Sequence, residues 1–129
     1  LKLSWDLQRT LSKVNYQIHT DAIKENLIPP EITKQQSNFV YASEADLLNV
    51  ALFGLTAKEW RDINPDKKGN ISDFAIIEQL VVLSNMESIN ALLIQQGLPQ
   101  NDRLTQLNKV AMTQMRSLLD NKAILKKLK

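Results

Sequence analysis

The chain contains no cysteine. Disulfides, thiolate metal sites and thiol nucleophiles are therefore excluded, and the absence fits a reducing, cytoplasmic setting. Only three glycines and four prolines interrupt 129 residues. That scarcity, with Leu, Lys, Gln and Ala common, argues for helices throughout. Aromatic residues make up 5% of the chain, and the interleaved aromatic and basic side chains of single-strand nucleic-acid binders are missing. The longest unbroken run of Leu, Ile and Val is Leu80–Leu83, far short of the ~20 apolar residues of a membrane span. No membrane association is expected, and no signal peptide opens the chain. It begins on Leu1 rather than Met, which reads as a piece excised from a longer protein.

What is present reads as one all-α domain over residues 1–129, a size that buries a single ordinary core. Leu7, Leu11, Val14, Ile18 and Ala22 recur at spacings of four and three, one stripe of a first helix from about Leu3 to Leu27. Pro29 and Pro30 end that helix. Glu31 to Val40 holds at most a short helical turn, and Ser43 with Asp46 marks the next helix start, which closes at Gly54. Thr56 and Glu59 form a T-x-x-E capping box for a short helix containing Trp60. A long apolar segment follows from Ser72 to Gln96, with a kink expected near Asn85, and Gly97 closes it. Its first half reads as the buried central helix. Leu104, Leu107, Ala111, Met115 and Leu118 form the final stripe. The short Leu98-Pro99 connector makes the last two helices antiparallel. The expected fold is an all-α orthogonal bundle of about five helices ending in an antiparallel helical hairpin.

The segment INPDKKGNISDFA, residues 63–75, has the spacing of an EF-hand calcium loop, with Gly69 at the sharp turn. The bidentate glutamate that such a loop needs at its twelfth position is Ala75, and its fifth position is the cation Lys68. The loop therefore reads as an ordinary turn, capped onward by Asn70 or Ser72. His19, the single histidine, has no acidic or thiol partner at metal-ligand spacing and reads as a partly exposed helix residue. Carboxylates read as solvated, and Met86, Met112 and Met115 as core fillers. Trp60 should anchor its short helix to the core, whereas Trp5 reads as a contact to a preceding segment. No Gly-rich phosphate loop, G-x-S-x-G or H-E-x-x-H segment occurs. No catalysis, metal or cofactor is expected. A deep pocket combining His19 with two carboxylates is what would reopen the case for an enzyme.

Charge is unevenly distributed. Residues 1–100 carry 9 basic and 12 acidic side chains, net −3, whereas residues 101–129 carry 7 basic and 2 acidic, net +5. A basic end of this kind either sits on a phosphate backbone or is a solvated helix end complementing its dipole. The candidate phosphate contacts are Arg103, Lys109, Arg116, Lys122, Lys126, Lys127 and Lys129. The first three lie off the apolar stripe and are expected to share a solvent-facing side.

Three stretches carry a family resemblance. SWDLQRTLSKVNYQIHTDAIKENLIPPEIT (4–33), ASEADLLNVALFGLTAKEWRDINPDKKGNISDFA (42–75) and LVVLSNMESINALLIQQGLPQNDRLTQLNKVAMTQM (80–115) resemble the region that follows the DNA-binding domain in KilA-N domain proteins of bacteria and their phages. The resemblance implies a C-terminal helical domain of a sequence-binding protein whose KilA-N domain precedes Leu1. It implies DNA as a partner of the full-length protein, and it transfers no DNA-contacting residue to this chain. The domain itself is then expected to act in oligomerisation, in positioning the DNA-binding domain, or in auxiliary phosphate contacts. The alternative is a protein–protein module without DNA affinity that binds a host or phage partner through an apolar face of the first helix.

Overall fold

The computed structural model describes residues 2–121, with side chains from residue 6 onward. Five α-helices account for most of them: α1 Lys2–Leu27, α2 Lys34–Phe53, α3 Ala57–Ile63, α4 Ile77–Gln95 and α5 Gln100–Asp120. A short 3₁₀ helix spans Ile71–Phe74, and no strand occurs among the described residues. The all-α bundle read from composition and periodicity is the observed architecture.

Local chemistry sets the boundaries. Thr56 and Glu59 cap α3 reciprocally: the Glu59 N–H donates to Thr56 Oγ1 (3.1 Å) and the Thr56 N–H to Glu59 Oε1 (2.9 Å). A second box of the same kind starts α2, where the Gln36 N–H donates to Thr33 Oγ1 (3.1 Å) and the Thr33 N–H to Gln36 Oε1 (2.9 Å). The helix therefore begins at Lys34, four residues after Pro30, rather than at Ser43. Ser84 likewise starts nothing: α4 continues through it to Gln95. At the other end Gly97 adopts φ 78°. Its N–H donates to the Ile94 carbonyl and that of Leu98 to the Leu93 carbonyl, a Schellman closure that hands the chain to Pro99 and α5.

Side-chain hydrogen bonds report the helix directions. On α4 and α5 they join Asn90 to Arg103 and Asn85 to Gln114, so the two run antiparallel. On α1 and α4 they join Asn15 to Ser84 and His19 to Asn90, so these run in the same direction. α2 and α5 also run together, through Gln100 to Ser43, Arg103 to Glu44, and Asn108 to the Ala51 carbonyl. Two helical hairpins thus lie side by side, with α1 on α4 and α2 on α5, while α1 and α2 touch little.

The core has two apolar clusters. One joins α2, α4 and α5 through Leu47, Leu48, Ala51, Val82, Met86, Leu93, Leu107 and Ala111. The other joins α1 to α4 through Ala22, Ile23, Ala91 and Ile94. The α5 stripe packs as its spacing requires, but Met112 is exposed rather than a core filler. Among the described residues α4 is the one helix long and apolar enough to cross a membrane. Its central place, covered by α1, α2 and α5, accounts for that apolarity. The α1 stripe does not pack as expected. Ala22 is buried, but Leu7, Leu11, Val14 and Ile18 remain 57, 55, 47 and 40% exposed. α1 instead docks through Asn15, His19, Ala22 and Ile23, because the α4 surface it meets presents Ser84 and Asn90.

The calcium-like segment is a turn whose donors and acceptors serve the backbone. Asn64 donates its amide to the Trp60 carbonyl (2.9 Å), and Asp73 Oδ2 accepts from the Asn70 N–H (2.7 Å). Phe74 stacks on buried Trp60 at 5.3 Å between centroids, which fastens α3 to the loop. Gly69 has φ 107°, and a Cβ there would lie 2.5 Å from Asp73 Oδ2. Gly69→Ala should therefore cost more than the ~1 kcal/mol of backbone strain alone, because Asp73 must release the Asn70 N–H. Urea denaturation of Gly69→Ala beside Gly54→Ala, whose Cβ meets open space, checks this: equal losses would contradict it.

Candidate functional site

A polar network lies buried where four helices meet. Asn90 of α4 is fully buried between Met86 and Leu93 along its helix. Its Oδ1 accepts from Arg103 Nη1 (2.9 Å), and its Nδ2 donates to Glu44 Oε1 (3.0 Å) and to His19 Nε2 (2.8 Å). Arg103 forks onto Glu44: Nη1 reaches Oε1, and Nη2 reaches Oε2 at 3.1 Å. Arg103 Nε donates to the Leu98 carbonyl (3.0 Å), and Gln100 Nε2 to Glu44 Oε2 (3.0 Å). No buried side-chain polar atom lacks a partner among the described residues, the condition under which a charge pair can be taken from water.

The geometry fixes protonation. Burial by itself would raise the Glu44 pKa, but hydrogen bonds from Arg103, Asn90 and Gln100, with the Arg103 charge, hold it below the usual carboxylate range. Asn90 must turn its oxygen to Arg103, so its NH2 faces His19. His19 Nε2 is therefore an acceptor and the proton sits on Nδ1. Burial drives the His19 pKa down to about 4, with Glu44 opposing and Arg103 reinforcing the shift. His19 is thus a buried, neutral member of the network rather than a partly exposed helix residue.

The basic residues divide. Lys109 and Arg116 are exposed on α5, seven residues and two turns apart on one face. Arg103 does not join them: it is 2% exposed and paired to Glu44. At six residues before Lys109 it points ~120° away around the helix, toward α2, and no phosphate reaches it. Lys122, Lys126, Lys127 and Lys129 lie outside the described residues, as does the side chain of Trp5.

His19 also lines a cavity of about 440 Å³ between α1, α2 and α4, together with Tyr16, Tyr41, Leu48 and Glu87. It holds one carboxylate. The second that an acid–base pair needs, Glu44, is held by Arg103. No group of three His, Asp or Glu side chains suited to a metal occurs among the described residues. Sequence reasoning missed Glu44 and Asn90 altogether, since neither stands in a local motif. The 4-3-4 spacing marks an apolar stripe on α1, and the structure shows that this stripe faces outward.

Arg103→Met leaves Glu44 buried without its counter-charge and should cost ~3–5 kcal/mol, a large share of a small domain's stability. Glu44→Leu combined with Arg103→Met should cost less than Arg103→Met alone in urea denaturation. A double-variant loss equal to or larger than the single would refute the uncompensated-charge account.

Acid sensitivity follows from His19. Between pH 6.5 and about 4 the unfolded chain binds a proton that the folded chain refuses, so stability falls with pH by roughly 1 kcal/mol per unit. Glu87 opposes this. Burial raises it from 4.5 to about 7, so the folded chain holds the extra proton and stability falls as pH rises through that window. Urea midpoints of Glu87→Gln should therefore climb from pH 4.5 to 6.5, while those of the unaltered chain stay nearly level. Parallel profiles would exclude the opposition.

Compared with protein-family models, curated proteins and solved structures, the chain matches none.

Proposed function

We propose that this chain is an oligomerisation domain of a KilA-N-type DNA-binding protein, pairing two copies through α1. The observation that carries the reading is the exposed face of that helix. Leu7, Leu11, Val14 and Ile18 follow the 4-3-4 spacing of a two-helix seam, and each stays 40–57% exposed while the helix is docked on α4. A helix that buries polar residues and displays its apolar stripe has a second surface to cover. The positions flanking the seam are Thr10 and Gln17 on one side and Gln8 and Asn15 on the other. None of these four is charged, so no like charges oppose each other alongside Leu7–Ile18 of two identical faces, and the next position of the spacing, exposed Asp21, ends the apolar stripe. A cavity of about 320 Å³ beside Leu7 and Leu11, reaching Val81 of α4, offers depth for an opposing side chain.

The DNA-binding context comes from the resemblance of residues 4–33, 42–75 and 80–115. Pairing of accessory domains is a common way to bring two DNA-reading domains to adjacent half-sites. The auxiliary phosphate role is weaker, since of the described basic candidates only Lys109 and Arg116 face solvent.

Sedimentation equilibrium should give twice the 14.7 kDa chain mass. Leu11→Lys should bring it to the single-chain mass with unchanged helical circular dichroism, since Leu11 contributes nothing to the buried core. A monomer at all concentrations, or a Leu11→Lys dimer, would overturn the reading.

A further inference from the structure

The flank of α1 opposite its apolar seam borders a cleft that pairing through the seam leaves free. α1 and α2 diverge there, and the 440 Å³ cavity between them reaches Leu83 and Glu87 of α4. A second cavity of about 370 Å³ continues along the same flank and shares both residues. Glu87 therefore stands where the two meet, against a wall formed by Ile23, Leu48 and Leu83. No described side chain donates to its carboxylate, and none forms an ion pair with it. Arg9 and Lys13 line the outer cavity, but both are exposed to solvent.

We propose that this cleft binds a small organic amine with an apolar body, its ammonium on Glu87 and its body against Ile23, Leu48 and Leu83. Charge selects this occupant. A carboxylate partly withdrawn from water and lacking a counter-charge is stabilised by a cation that brings its own. Tyr16 and Tyr41 line the same cavity and add aromatic surface of the kind that attracts ammonium groups. His19 contributes no competing positive charge, because its Nε2 accepts from Asn90. A bare metal ion finds one carboxylate where it needs several. The volume lies within the ~300–1,000 Å³ typical of small-molecule sites. Burial pushes Glu87 up to about 7, and a bound ammonium returns it to the charged form.

The test is an amide chemical-shift titration at pH 8 with phenethylamine, set against neutral 2-phenylethanol and anionic 3-phenylpropanoate. Saturable shifts are expected at Thr20, Tyr41, Leu48 and Glu87, with the amine roughly tenfold tighter than the alcohol. Glu87→Gln should erase that advantage. The variant keeps the side chain's size and removes a poorly solvated charge, so it retains the fold. Absence of saturable shifts, equal affinity for amine and alcohol, or unchanged amine affinity in Glu87→Gln would each overturn the proposal. Leu11→Lys leaves the cleft intact, so loss of pairing and loss of amine binding are read separately.

Discussion

The structure depends on burying one carboxylate with one guanidinium. Glu44 and Arg103 come from α2 and α5, and neither is tolerated in the core without the other. Asn90 completes the pair from α4 and, by the fixed sense of its amide, decides that His19 of α1 is neutral and accepting. One set of hydrogen bonds therefore specifies the register of all four long helices. The two apolar clusters supply the burial energy, but hydrophobic packing tolerates rearrangement more readily than a buried charge tolerates loss of its partner. A slip of ~5.4 Å in α5 would carry Arg103 off Glu44 and leave two charges without partners.

The same arrangement explains the surface of α1. Its polar side is consumed by Ser84 and Asn90, so its apolar stripe is left on the outside. The helix has two faces, one hydrogen-bonded inside the bundle and one left largely exposed by the described residues. The cleft on its other flank exists because α1 rests on α4 and hardly touches α2. The exposed stripe and the cleft are both consequences of where α1 sits.

The sequence revealed whatever is local. The Thr56–Glu59 box, the closure at Gly97 and the α5 stripe each depend on residues a few positions apart, and each stands as read. The start of α2 was equally local but was passed over, because Thr33 and Gln36 follow a proline pair that drew the boundary toward Ser43. The buried network was not legible. Glu44 pairs with Arg103 across 59 residues, and Asn90 pairs with His19 across 71. Periodicity marks an apolar stripe but does not say whether that stripe faces inward when a polar stripe beside it has partners. The signal that separated Arg103 from Lys109 and Arg116 was angular: it falls on the α2 flank of α5, not on the face the other two share.

The polar docking of α1 bears on how the domain opens. Detaching an apolar helix exposes surface that water accommodates poorly, whereas Asn15, Ser84, His19 and Asn90 exchange their mutual hydrogen bonds for water at small net cost. Only Ala22, Ile23 and their neighbours resist separation by burial. The hold of α1 on α4, the most extensive helix pairing in the bundle, thus combines a polar part that water can replace with an apolar part that it cannot.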